Sequence, residues 1–288
     1  MTSRNPMVQL LDKVERWERL DDVSSLLTSA VQPVAGSRRL GNLLTGVPFG
    51  HPLHPALAQV SLGFFAAAGL LDLRGRSSDS AASRTLIAAG LVSSAPAVAA
   101  GLADWSHGHE QQQRTGLLHA AANTAGLMLS AASLLGGRRG RMHRAAALAG
   151  LTSLSAAAYV GGHLAFRQAL GANHAEHVPH RLPTGWAALC RIDEVPEQGL
   201  VQRLLGDQPL LAFRLDGDIR VLSDVCPHLA GPLHEGELRD GCVVCPWHGS
   251  AFRVTDGSVH SGPATAPVPA LEVRVQDGTV LIRLPGAG

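Results

Sequence analysis

Four stretches of this chain carry no Asp, Glu, Lys or Arg at all: His54 to Leu71, Thr85 to Ala103, Thr115 to Gly137 and Ala145 to Phe166. About 20 apolar residues cross a hydrocarbon layer of about 30 Å as a helix, and each stretch is of that order. A soluble helix repeats a polar stripe every turn or so, and none of the four has one. The pattern predicts four transmembrane helices. Gly63, Gly69, Gly90, Gly126 and Gly150 lie inside them, where small residues let helices approach closely. Upstream the pattern changes. Between Pro6 and Ala30, Leu10, Val14, Trp17, Leu20 and Leu27 are set among Lys13, Glu15, Arg16, Glu18 and Arg19, which predicts an amphipathic helix on the membrane surface or capping the bundle.

Downstream the period shortens to two. Leu210 to Leu222 and Leu271 to Leu284 alternate apolar and polar positions around Asp216-Gly217 and Asp277-Gly278, the signature of antiparallel strands joined by tight turns. Between helices and strands, Gln168 to Thr184 is rich in Gly, Asn, His and Pro and reads as a short tether. The expected organisation is multidomain: 1–45 an N-terminal amphipathic helix and tail, 46–167 a four-helix transmembrane domain, 168–184 a linker, and 185–288 an all-β domain.

Charge adds orientation. The loops after the first and third spans carry seven arginines, Arg74, Arg76, Arg84, Arg138, Arg139, Arg141 and Arg144, against Arg114 in the second. The positive-inside rule puts the arginine-rich loops in the cytoplasm and the C-terminal domain on the extracytoplasmic face. Arg138-Arg139 ahead of the fourth span also looks like a twin-arginine signal. A formal net charge of +1 argues against nucleic acid as a partner.

The chemistry is concentrated in two half-sites, Cys226-Pro-His228 and Cys245-Pro-Trp-His248, separated by sixteen residues. Each supplies one soft thiolate and one imidazole. Two Cys and two His also make a tetrahedral zinc shell, although Cys-x-His is a rare zinc half-site. With their flanks, His228-Leu-Ala-Gly-Pro-Leu and Cys245-Pro-Trp-His-Gly-Ser-Ala-Phe, and the later Ser261-Gly-Pro-Ala-Thr-Ala-Pro-Val-Pro segment, these motifs resemble the Rieske [2Fe-2S] family over Gly185 to Pro285. The resemblance implies a cluster with Cys226 and Cys245 on one iron and His228 and His248 on the other, covered by the proline-rich loop. It also implies departures from the respiratory branch. Gly231 and Trp247 stand where that branch has a disulfide, and Phe252 stands for a tyrosine donor, while Ser250 is kept to donate to a cluster sulfur. Fewer donors imply a potential of about −150 mV rather than about +300 mV. Cys190 and Cys242 are left over, and Cys242 reads as a small buried hydrophobe.

The helical region resembles a family of small four-helix membrane proteins through His51-Pro-Leu-His54-Pro, Asp104-Trp105 and Gly161-Gly-His163. Four spans place His54, His119 and His163 toward the end of the bundle that carries the C-terminal domain. With Asp104 they form a candidate haem or quinone site, against the alternative of interfacial histidines capping helix ends.

Together these features predict a membrane-anchored electron-transfer component of an oxidoreductase system rather than a complete enzyme. It would work between a redox partner protein (a reductase, ferredoxin or oxygenase) and a donor or acceptor at the lipid bilayer. The alternatives are a redox or iron-status sensor, and an oxidoreductase with haem or quinone held by the bundle histidines.

Overall fold

The structure is a computed structural model that describes residues 5–135 and 141–286. Arg138 and Arg139, read above as an export signal, lie outside the described residues. Among the described residues there are seven α-helices: α1 Pro6–Glu15, α2 Asp21–Ala35, α3 Arg38–Thr45, α4 His54–Arg74, α5 Ser80–Ser106, α6 Glu110–Leu135 and α7 Arg141–Phe166. Ten strands follow: β1 Ala187–Arg191, β2 Leu200–Leu205, β3 Gln208–Leu215, β4 Asp218–Ser223, β5 Glu237–Arg239, β6 Cys242–Val244, β7 Ala251–Arg253, β8 Val259–Ser261, β9 Ala270–Gln276 and β10 Thr279–Arg283. The chain divides into two compact units, one running to Ser37 and resuming over Pro52–Leu170, the other made of Arg38–His51 with the chain from Gly171 onward.

In the helical unit, α4, α5, α6 and α7 are each long and apolar enough to cross a membrane. Phe65, Ala68, Ile87, Ala147 and Leu154 form a shared core. At Gly126 and Gly150 the backbones of α6 and α7 come together, so that a Cβ on either would meet the other's carbonyl oxygen at 3.0–3.1 Å. Gly63, expected to serve the same purpose, faces open space.

The N-terminal amphipathic segment is two helices rather than one, and α6 supplies the reason. Arg114 donates from Nη1 to the carbonyl of Glu15, the last residue of α1, and from Nε and Nη2 to the carboxylate of Asp21, the first of α2, at 2.6–2.8 Å. It thereby ties together the C-terminal carbonyl end of one helix and the N-terminal acid of the next. Hydrogen bonding to Arg114 holds the Asp21 carboxyl below its usual range. The contribution of this pair is therefore present above the ordinary aspartate value and is lost as pH falls through the depressed one. The melting temperature of the detergent-solubilised protein should fall on acidification through that window, and Asp21→Asn should lower it at neutral pH while flattening that part of the dependence.

The second unit contains a six-stranded antiparallel sheet, ordered β1-β10-β9-β4-β3-β2, and a four-stranded one, β5-β6-β7-β8. The expected Asp-Gly turns close β3–β4 and β9–β10, with Asp216 and Asp277 at φ +53° and +50° in the left-handed conformation that a two-residue hairpin turn requires. Strand β3 is buried on both faces. Leu210 and Ala212 point into one core with Val221, Val280 and Ile282, while Leu211 and Phe213 point into another with Leu222, Leu233 and Phe252.

Two segments depart from the sequence reading. The presumed tether is part of the β unit from Gly171 onward: Ala175, Val178 and Leu182 are buried in its first core and a short 3₁₀ turn covers Pro179–Arg181. Its Gly and Pro residues break helix and strand, but its three apolar side chains still have a core to enter. Arg38–His51, assigned above partly to the N-terminal tail and partly to the transmembrane domain, also packs with the β unit.

Candidate metal centre

Both half-sites lie on loops gathered by the small sheet and its neighbours. The first follows β4: the Cys226 N–H donates to Gly231 O and the Ala230 N–H to Cys226 O, with Ala230 at φ +60° closing the turn. The second joins β6 to β7, where the Cys245 N–H donates to Ser250 O and the Gly249 N–H to Cys245 O. These closures bring the sulfurs of Cys226 and Cys245 into hydrogen-bond contact. They also bring the His228 and His248 rings to 4.9 Å between centroids with planes at 81°. The four side chains thus form a thiol pair and an imidazole pair. A cluster of two irons takes its ligands two by two, whereas one tetrahedral ion would take all four at a single point.

Both cysteines are buried, at 1% and 3% exposure, among Leu233, Val243 and Phe252. Their sulfurs face fixed donors: His228 N–H and the Ser250 hydroxyl on Cys226, Trp247 N–H and His248 N–H on Cys245. Cys245 is drawn down to about 6 by the Cys226 thiol, which donates to it, while that bond and burial push Cys226 up. A cradle with polar hydrogens aimed at sulfur suits thiolates bound to iron, so the residues fit a [2Fe-2S] cluster.

Gly231 and Trp247 do face each other. A Cβ at Gly231 would lie 3.0 Å from Cys245 Sγ and 3.2 Å from the Trp247 ring, so the indole covers the place of the disulfide described above. Phe252 is fully buried and contributes packing alone. Cys190 and Cys242 remain free thiols, Cys242 among Val244 and Ala251.

Ser250 links the two loops to the third. It is fully buried, donates to Cys226 sulfur and accepts the Ala264 N–H at 2.9 Å, which ties the proline-rich loop to the cluster cradle. Ser250→Ala should make the potential more negative, by on the order of 40 mV for each kcal/mol by which the bond favours the reduced state. Redox titration followed by EPR reads this shift, and an unchanged potential would remove Ser250 from the tuning set.

Sequence reasoning missed three supports. Asn42 of α3 accepts the Gly262 N–H at 2.9 Å and the Ser261 hydroxyl at 3.3 Å, and donates to His260 O at 3.3 Å, so an N-terminal residue holds the proline-rich loop. The His174 N–H, in the presumed tether, donates to Pro227 O of the first cluster loop. Asp224, buried two residues before Cys226, accepts from the His234 N–H and Nδ1 and from Gln202 Nε2 at 2.6–2.7 Å. Only Asp224 lies close enough in sequence to the motif to have been a visible candidate.

The bundle candidates separate. His54 and His119 come together, their ring centroids 6.3 Å apart. His163 instead pairs with Glu15 of α1, Nε2 to Oε1 at 2.8 Å. Asp104 is half-buried and shares a face of α5 with Ala97 and Gly101.

Residues 185–272 match the Rieske [2Fe-2S] domain model, and residues 50–178 match a family described as predicted membrane protein (DUF2231). The anthranilate 1,2-dioxygenase ferredoxin subunit of Burkholderia cepacia is 33% identical over 99 residues, which span 34% of this chain and 92% of that protein. Human apoptosis-inducing factor 3 is 28% identical over 36% of this chain, a region that amounts to 18% of that protein. Among solved structures, a chain from the complex of reduced oxygenase and oxidized ferredoxin in carbazole 1,9a-dioxygenase is 30% identical, with coverage of 35% of this chain and 94% of that one and a TM-score of 0.32. The chain belongs to the Rieske iron–sulfur family, joined to a DUF2231 helical domain. Its β unit binds a [2Fe-2S] cluster and is an electron-transfer domain of the kind found in dioxygenase ferredoxin subunits.

Proposed function

We propose that this protein is a membrane-anchored electron carrier in which Cys226 and Cys245 hold one iron and His228 and His248 the other. The observation that carries the reading is the polarity of the site. The thiol side is buried, whereas both imidazoles are half-exposed beside exposed Pro246 and Trp247. When bound, the cluster supplies a one-electron couple. The imidazole edge is the side from which an electron can enter or leave, and the buried side keeps water from the sulfurs. The ferredoxin relatives support a reductase or an oxygenase as the partner class.

The helical unit anchors the chain by α4–α7. Val92, Met128, Leu70 and Leu73 stand exposed on helices that pass the length and hydropathy requirements for a span, as lipid-facing side chains do. The arginine-rich loops lie in the cytoplasm and the cluster domain on the opposite side, following the positive-inside rule.

The test is stopped-flow oxidation of dithionite-reduced, detergent-solubilised protein by cytochrome c, with the oligomeric state followed by light scattering. Rapid one-electron turnover at constant mass is expected. A change of mass on reduction, with slow or no turnover, would replace the carrier by a sensor. Protease protection in oriented vesicles checks the side.

A further inference from the structure

We infer that His54 and His119 are the two axial ligands of a haem iron held by the long helices. This site lies within the helical unit and is independent of the iron–sulfur reading.

The two hairpins α4–α5 and α6–α7 contain the same device. In the first, His54 Nδ1 bonds Ala97 O at 2.8 Å and its ring lies on Gly101 four residues further along α5. In the second, His119 Nδ1 bonds Ala157 O at 2.8 Å and its ring lies on Gly161 four residues further along α7. A Cβ would come within 2.7 Å of His54 Nδ1 at Gly101 and within 3.0 Å of His119 Cε1 at Gly161. A histidine seated on a carbonyl and a glycine notch therefore occurs twice, once in each hairpin.

The carbonyls settle the tautomer. A carbonyl oxygen only accepts, so both Nδ1 atoms carry the proton and both neutral imidazoles keep their lone pair on Nε2. That is the state of a metal-ligating histidine, whose second nitrogen is held by an acceptor so that ring and lone pair are aimed.

The spacing selects the ligand. With each nitrogen about 2 Å from a shared ion, two imidazoles have ring centres roughly 6 Å apart. The observed separation is 6.3 Å, with the planes at 85°. Among the described residues no third His, Cys, Asp or Glu joins this pair as a metal group, so a bare ion held here would lack half of a tetrahedral shell. A porphyrin supplies four nitrogens around the axis and leaves two positions for protein ligands, the number present here. Ala97, Gly101, Ala157 and Gly161 seat the rings on their Nδ1 side, which leaves Nε2 as the nitrogen available to a metal. Asn123 Nδ2 bonds both His119 Nε2 and His119 O at 3.0 Å. Iron would displace the first of these bonds and leave the second.

The test uses the full-length chain, produced with added 5-aminolevulinate, purified anaerobically in detergent and titrated with haemin. One haem per chain with a six-coordinate low-spin spectrum is expected. His54→Ala and His119→Ala should each weaken haemin binding by at least about tenfold, while the far-ultraviolet circular dichroism and melting temperature, which report the helical unit, and the cluster's EPR signal, which reports the β unit, persist. His163→Ala, whose ring is engaged by Glu15, should retain haem. His119→Met should retain it with a shifted spectrum, because methionine can serve as the second axial ligand. The inference is overturned if the wild-type chain takes up no haemin, if neither alanine variant changes uptake, or if a quinone occupies the bundle and leaves with the His54 and His119 substitutions.

Discussion

Serine at Cys226 or Cys245, or alanine at His228 or His248, should abolish the visible absorption and the reduced-state EPR signal of the purified protein, with iron and acid-labile sulfide falling together. In the proposed assignment each iron would have only two protein ligands, so a single loss would leave it three-coordinate, on the cysteine side among Leu233, Val243 and Phe252. Serine at Cys190 or Cys242 should leave the signal intact. The two ligand classes differ further. His248→Cys replaces a neutral ligand by a thiolate, which adds negative charge and disfavours the reduced cluster. If the cluster assembles, its potential should drop from the Rieske range toward about −400 mV, the plant-type value. Retention of the cluster in His228→Ala with an unchanged potential would mean that the imidazoles are not ligands.

Gly257→Ala should be among the most destabilising single substitutions in the β unit, by about 3 kcal/mol or more. Gly257 turns the chain between β7 and β8 at φ +71°, a conformation that costs any residue with a Cβ. The added atom would also stand 1.9 Å from the carbonyl oxygen of Val268, which is backbone and has nowhere to turn. The Val268 N–H bonds Gly257 O, so the displacement passes into the proline-rich loop that Ser250 and Asn42 hold. The expected readout is a lower melting temperature together with faster loss of cluster colour. Gly185→Ala is the matched control: open space surrounds that position, and its effect should stay within about 0.5 kcal/mol. Equal melting temperatures for the two variants would mean that the turn can relax.

The candidate cluster residues stand out in the sequence because they fall in two short motifs, and the structure gathers them with Ser250, which is adjacent to the second. The long apolar helices and the Asp-Gly hairpins were legible for a similar reason, since local periodicity and turn chemistry set them. What stayed hidden depends on single side chains acting over long separations. Nothing near Trp17 announces the break between α1 and α2, because Arg114 from α6 stabilises both helix ends there. Nothing in Arg38–Thr45 marks Asn42 as a brace for Gly262. The Gly171–Thr184 segment did carry a signal, since Ala175, Val178 and Leu182 are spaced to share one face, but the helix-breaking residues around them dominated the reading. His54 and His119 were visible as candidates. Their separation from His163 was not, because it turns on Glu15 from the far end of the chain.

The interleaving of the two units has a bearing on modularity. Arg38–His51 is claimed by the β unit while the chain on both of its sides belongs to the helical one. A C-terminal fragment starting at Gly185 would carry all ten strands yet leave behind Asn42, the His174 backbone and three apolar side chains of a core. A single cut at Gly185 would therefore strip the iron–sulfur portion of braces that lie outside it, and a soluble version with the α3 segment grafted back is expected to be the more stable.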